Sequence, residues 1–226
     1  VRSSAASDVY KRQGIYLNPG NDLFAQALSS EIYVDKSMLI RLTNERLNSN
    51  DRHICISRPR RFGKSMAANM LVAYYSRNCD SKELFSSLAI ADTLDFEDHL
   101  NKYNVIHLDM TRFASKAPDV KGMIDRLELT LKQELSELCA DISYPDFYSS
   151  DEILTLIYNK YRIPFVFIID EWDCVFRIHK NDIEGQTAYL DYLKILLKDR
   201  PYVALDYATG ILPVKKYGQH SALNMY

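Results

Sequence analysis

Residues 165–169 read Phe-Val-Phe-Ile-Ile, five apolar side chains with no polar interruption. A strand with one solvated face alternates polar and apolar residues, so an unbroken run like this has to be covered on both faces. Strands of a parallel sheet meet that condition. Strand-like and helix-like segments alternate around it. His53–Ser57, Val105–Asp109 and Val203–Ala208 read as three more short strands. Helices are expected at about 64–77, 81–88, 153–161 and 187–198. The clearest helix carries Val120, Ile124, Leu127, Leu131, Leu135 and Leu138 at spacings of three and four, a stripe suited to packing on a sheet. Residues 14–53 read as a lead-in with one short helix capped by Asp35 or Ser37, residues 89–102 as a polar connection, and 111–119 as a loop. Alternation of this kind predicts an α/β fold with a mostly parallel sheet.

The first strand leads into an unusual loop. Ile54–Met66 reads ICISRPRRFGKSM and is followed by helix-forming sequence. Strand, tight loop, Gly63-Lys64-Ser65 and helix is the order of a phosphate cradle. A glycine lets backbone N–H groups turn toward an anion, and the helix N-terminus adds a positive dipole end. Lysine reaches the outer phosphates, and the serine hydroxyl suits magnesium. Two departures stand out. Arg58 occupies the position where the usual pattern has its first glycine, and Pro59 has no N–H to donate. Gly63 and its neighbours Phe62, Lys64, Ser65 and Met66 are therefore the expected phosphate contacts. Arg60 and Arg61 either add charge beside the phosphates or point to solvent. An accidental match on a basic surface turn is the competing reading.

Asp170-Glu171 supplies a partner for that loop. A carboxylate at the end of a buried strand can hold magnesium, and a neighbouring glutamate can orient and deprotonate water. Alone the pair would be an ordinary solvated strand end; with Gly63-Lys64-Ser65 upstream it points to a nucleotide site.

Composition narrows the classes. With 28 Lys plus Arg against 30 Asp plus Glu, the formal net charge is −2, so no global field favours nucleic acid. Cys55, Cys79, Cys139 and Cys174 form no CxxC pair and no cluster with histidine, which argues against zinc and for free thiols in a reducing, cytoplasmic setting. No apolar run approaches the ~18–20 residues of a membrane span. Residues 1–13 lack periodicity and the apolar core of a signal peptide, and read as leader sequence outside the fold. Residues 14–226 read as one domain, cut short before any terminating element.

Four separated motifs, SRPRRFGKS, the earlier YVDKSMLI, the DEWD after the apolar strand and the late TGILPVKKYGQHSALNM, resemble the AAA-ATPase-like family. The resemblance runs from about Gly14 to the end of the chain, and in that family the first glycine of the loop is commonly absent. It implies a P-loop NTPase three-layer sandwich, C-terminally incomplete here, that binds ATP with Mg²⁺. It further implies that Lys64 and Ser65 bind phosphate and magnesium, that Asp170 ligates magnesium, and that Glu171 is the catalytic base. Thr209 is implied as a polar sensor of the γ-phosphate or water, and Tyr33, Val34 and Asp35 as a flank for adenine. Bacterial members often carry a PD-(D/E)XK nuclease domain after the ATPase part, but residues 170–226 hold no spaced PD and ExK. A homo-oligomer and a partner domain gated by hydrolysis are further implications.

Other functions stay open beside this one: a nucleotide switch with little turnover, an interaction domain with a dead site, and a small-molecule kinase, which would need an Arg-rich lid not found here. Asp206 interrupts a strand and is expected on an exposed face, because a buried carboxylate is costly unless paired. Asp173 reads as a helix-start acid, and His53 and His107 as structural histidines. Lys215-Lys216 reads as a solvated loop. Arg112, Arg177 and Arg200 are equal candidates for an arginine finger.

Overall fold

The computed structural model describes residues 13–212 and 225–226. Two features of the sequence reading, Lys215-Lys216 and most of the last motif, lie outside the described residues. Among those described, α1 (Asp22–Leu28) and α2 (Met38–Asn44) lead into β1 (His53–Ser57) and α3 (Lys64–Tyr75). Short α4 (Lys82–Phe85), a 3₁₀ turn at Ala89–Asp92 and α5 (Phe96–His99) connect to β2 (Asn104–Asp109). Then come α6 (Met110–Ala114), α7 (Val120–Leu138), α8 (Ser150–Tyr161), β3 (Phe165–Asp170), α9 (Cys174–Ile178), α10 (Ile183–Leu197) and β4 (Val203–Gly210).

The four strands form one sheet in the order β1-β4-β3-β2, and all three pairings are parallel. Side chains alternate along β3 between two cores. Phe165, Phe167 and Ile169 pack with α7, α8 and α10, while Val166 and Ile168 pack with α3. All six residues of β3 are buried, as the unbroken apolar run requires. The result is three layers, helix, sheet and helix.

The stripe on α7 faces the sheet as expected. Val120, Leu127, Leu131, Leu135 and Leu138 are buried, Met123 joins them, and Ile124 sits half-buried at the margin. Elsewhere the lead-in and the polar connection are more ordered than their composition predicts. Phe24 of α1, Ile90 and Phe96 enter the core beneath α3. Neither Asp35 nor Ser37 caps α2 with its side chain; Asp35 accepts from the N–H groups of Ser37 and Ala89, and Ser37 Oγ accepts from Ile90 N. Both hold the 3₁₀ turn instead. The expected loop after β2 begins as a helix, because the Asp109 carboxylate accepts from Thr111 N at 3.0 Å and caps α6.

The outer edge of β2 is covered by residues 16–18, which run antiparallel to it: His107 N donates to Tyr16 O at 2.8 Å, and Asn18 N donates to Val105 O at 2.6 Å. The Glu134 carboxylate on α7 accepts from the N–H groups of Ile15, Tyr16 and Leu17. One side chain thus fastens the strip that blocks the sheet edge.

Asp206 overturns the expectation of exposure. It is fully buried on β4, where it accepts from the Tyr226 hydroxyl at 2.5 Å and faces His53 Nδ1 at 3.4 Å. Its pairing with His53 follows from strand register, which a single strand's sequence does not reveal. Burial pushes its carboxyl above the ordinary value of 3.8, against the opposing pull of His53 and Tyr226. The folded state therefore holds this proton more tightly than the unfolded chain does. Its contribution to stability falls as pH rises from 3.8 toward neutrality. Asp206→Asn should remove this component, so the variant loses less melting temperature over that pH interval than the unaltered chain. Identical pH dependence in the two would refute the assignment.

Candidate functional site

Flush parallel strands bring their C-terminal ends to one edge of the sheet. Asp109 pairs with Asp170 across β2 and β3, while Ile56 and Ser57 pair with Thr209 and Gly210 across β1 and β4. The chain leaves β1 toward the face covered by α3 and leaves β3 toward the opposite face. These two loops, departing to opposite faces on either side of β4, open a crevice at the strand ends, the usual ligand position in sheets of this kind.

Asp170 is the junction of that crevice. Ser65 Oγ donates to its Oδ2 at 2.5 Å, the Thr209 hydroxyl donates to Oδ1, and Glu171 N donates to Oδ1 at 3.0 Å. The strand-end carboxylate is thereby tied to the first turn of α3 and to the end of β4. Thr209 is itself fully buried, so its hydroxyl reaches the crevice through Asp170.

The loop before α3 turns without the missing glycine. Arg58 N donates to Gly210 O at 3.1 Å, which anchors the loop start to β4. Arg61 and Gly63 then take positive φ, +68° and +75°. At Gly63 a side chain would be strained by φ and would meet Lys36 Nζ at 2.9 Å. Lys36 Nζ also donates to Phe62 O at 3.0 Å, bracing the loop from outside. Lys64 lies with its side chain largely buried, donating from Nζ to the carbonyls of Arg58 and Pro59 at 3.1 and 3.2 Å. The same nitrogen is 3.7 Å from Glu171 Oε1.

Glu171 also sits at positive φ, +55°, and its second carboxylate oxygen is held by Arg177 Nη2. A cleft of about 390 Å³ opens here, lined by Arg60, Arg61, Gly63, Lys64, Ser65, Met66, Thr111, Glu171 and Arg177. Arg61 and Glu171 are the two non-glycine residues of the cleft wall with left-handed backbone, a conformation also taken at Asn18, Asn48, Asn101, Arg162 and Asp199 away from it. Arg60 and Arg61 both line this cleft and are also exposed to solvent. A second cleft of about 370 Å³ lies on the other side of the loop. Ile32, Tyr33, Val34, Phe62, Met66 and Met70 supply its apolar surface, and Lys36 and Arg61 its charge. The shared residues Arg61, Gly63 and Met66 make the two clefts neighbours. Tyr33 and Val34 line this second cleft, whereas Asp35 is turned away to the 3₁₀ turn.

A larger hollow of about 800 Å³ lies between α7 and α10, lined in part by Asp119, Asp182, Glu184 and Asp191. It holds none of the converging groups at the strand ends, and an anionic ligand would be repelled there.

A family model described as Predicted AAA-ATPase matches residues 24–219. The chain belongs to that family. No similarity to a curated protein reaches significance. A predicted AAA-ATPase implies nucleotide binding.

Donor chemistry at the junction fits magnesium. One carboxylate and one hydroxyl in contact are hard oxygen donors, and Mg²⁺ commonly takes one or two protein ligands and completes its octahedron with water and phosphate oxygens. Among the described residues no group of three or more His, Cys, Asp or Glu side chains forms a cage for a metal on its own. Burial pushes the thiols of Cys55, Cys139 and Cys174 up to about 12, so they are neutral and unreactive, in keeping with the free thiols expected. His107 is pushed below its ordinary value by burial and stays uncharged at neutral pH. Among the described residues no helix is long and apolar enough to cross a membrane.

Of the three candidate arginines, only Arg177 lines the cleft. Arg200 precedes β4, at the opposite edge of the sheet, and pairs with Asp151 at 2.8 Å. Asp173, read from sequence as a helix-start acid, is fully buried and has a larger part. It lies 3.4 Å from Arg177 Nη2 and accepts from Ile211 N and Leu212 N at 3.0 and 2.8 Å. Gly210 permits this closeness, because a Cβ there would meet Trp172 Nε1 at 2.7 Å and Asp173 Oδ1 at 3.0 Å. Thr111 and Lys36 were not singled out from sequence. Thr111 stands two residues beyond a strand-end acid, and that signal becomes visible only once β2 is known to end beside β3.

We predict that Asp173→Ala costs about 2–4 kcal/mol in denaturant unfolding, since it strands two half-buried N–H groups and a guanidinium. Asp173→Asn, which keeps an acceptor, should recover part of the loss. A change under about 0.5 kcal/mol in the alanine variant would remove Asp173 from the supporting frame.

Proposed function

We propose that this chain binds ATP with Mg²⁺ and hydrolyses it, using the energy to drive or gate a partner domain. The observation that carries this reading is the convergence on one carboxylate: Asp170 receives Ser65 from the loop helix and Thr209 from β4, with Lys64 and Glu171 in contact beside it.

In this reading the base enters the apolar cleft against Tyr33, Val34, Phe62 and Met66, and the phosphates follow the loop into the cationic cleft. The N–H groups at Gly63, Lys64 and Ser65 and the N-terminus of α3 face the phosphates. Lys64 exchanges the Arg58 and Pro59 carbonyls for phosphate oxygens, a stronger, charge-assisted set of acceptors. Ser65 and Asp170 would hold Mg²⁺, which when bound supplies positive charge to the phosphate oxygens. Glu171 orients the attacking water and takes its proton, while Lys64 stabilises the charge that develops on the transferring group. Thr209 acts through Asp170, holding one carboxylate oxygen so that the other stays on Ser65. Arg60 and Arg61 add charge at the cleft mouth.

A nucleotide switch with little turnover is the second reading, favoured by the hold that Arg177 and Lys64 have on Glu171. Two variants separate the possibilities. Lys64→Ala should weaken ATP binding at least about tenfold in a fluorescent-nucleotide titration, the loss expected for one strong charge-assisted contact. An unaffected affinity would leave the loop without a phosphate role. Glu171→Gln should bind ATP while phosphate release falls about 10²–10⁴-fold. Unchanged phosphate release would take the general-base role away from Glu171 and support the switch.

A further inference from the structure

Arg177 is a cation with two anionic partners and a third nitrogen unused. Its Nη2 holds Glu171 and lies 3.4 Å from Asp173, while its Nε is buried with no hydrogen-bond partner. A guanidinium is suited to planar, multi-point binding of oxyanions, and an idle buried donor in it is a cost that another acceptor can relieve. The side chain lines the same cleft as Lys64, Ser65 and Thr111.

The two anionic partners differ in how firmly they are fixed. Asp173 is fully buried and locked by two backbone N–H groups from the segment after β4. Glu171 is partly exposed, its side chain 21 % accessible, and no hydrogen bond to its carboxylate from any other described residue accompanies the one from Arg177. Asp173, 3.4 Å from Arg177, is thus the fixed partner, and Glu171, the closer one, is the partner less anchored by other groups. The Glu171 carboxylate spans Arg177 and Lys64, one oxygen toward each, so it sits between two cations as a phosphoryl group would. A terminal phosphate carries more charge and more acceptor oxygens than a carboxylate, and it competes for both cations at once. A diphosphate ends one phosphoryl group short and competes for fewer of these contacts.

We propose that Arg177 distinguishes a nucleoside triphosphate from a diphosphate at this site: it clamps Glu171 until a terminal phosphate takes its place on the guanidinium, and the exchange frees Glu171 to meet water. This rests on the ATP reading above and adds to it a same-chain residue that couples the terminal phosphate to release of Glu171. Arg177 is a binding and positioning residue here and transfers no proton.

The ratio of affinities for a non-hydrolysable βγ-imido triphosphate and for ADP, measured by displacement of a fluorescent nucleotide, tests it. Arg177→Gln keeps a donor for Asp173 and should lower the triphosphate-to-diphosphate preference about tenfold, the loss of one charge-assisted contact. Arg177→Lys keeps the charge beside Asp173 and should restore part of the preference, which also guards against a variant that fails to fold. Glu171→Gln removes the competing charge and should raise the preference, an increase that disappears when combined with Arg177→Gln. A preference unmoved by Arg177→Gln, with both nucleotides still bound by the unaltered chain, overturns this inference alone. A chain that binds neither nucleotide overturns the ATP reading and this inference together.

Discussion

The Asp170 carboxylate ties three separate parts of the chain into one edge. It ends a strand buried at every position, yet it accepts hydrogen bonds from the loop helix, from β4 and from its own following residue. A carboxylate with only 6 % of its residue surface exposed needs such donors, because an unpaired buried charge is expensive. Satisfying it fixes the distance between α3 and β3. That distance sets the width of the cationic cleft, so the geometry of everything facing it follows from one strand end.

Around that junction the charges form an alternating chain: Lys64, Glu171, Arg177, Asp173. Its two ends, Lys64 and Asp173, are buried and held by backbone groups, while Glu171 and Arg177 between them are partly exposed. Family membership and these converging charges point the same way, to nucleotide binding.

Much of the fold was legible from local patterns. The unbroken run at 165–169, the α7 stripe and the strand–loop–helix order around Gly63 each depend on neighbours in sequence, and all took the expected form. Short elements were not legible. α1, α5, α6 and the 3₁₀ turn are seven residues or fewer, too short for periodicity to stand out, and they exist because Phe24, Ile90, Phe96 and Phe113 are buried by distant parts of the chain. Asp206 shows the same limit in a single residue. Its exposure was inferred from its own strand, but its partners His53 and Tyr226 come from elsewhere.

By itself the sequence determined which groups were available: a flexible glycine before Lys64-Ser65, two acids at the end of a strand that had to be buried, and alternation that demands a parallel sheet. Those are properties of residue type and spacing, and they survive without knowing what touches what. Tertiary structure decided which of the available groups meet. It put Arg177, not Arg112 or Arg200, on the cleft wall, gave Asp173 at the start of α9 two backbone N–H groups to hold, and routed Thr209 to Asp170. Strand order brings residues distant in sequence within hydrogen-bond reach, as Thr209 meets Asp170 over 39 positions and Ser65 meets it over 105. No local pattern encodes that, because hydrogen bonds and ion pairs depend on distance in space and are blind to distance along the chain.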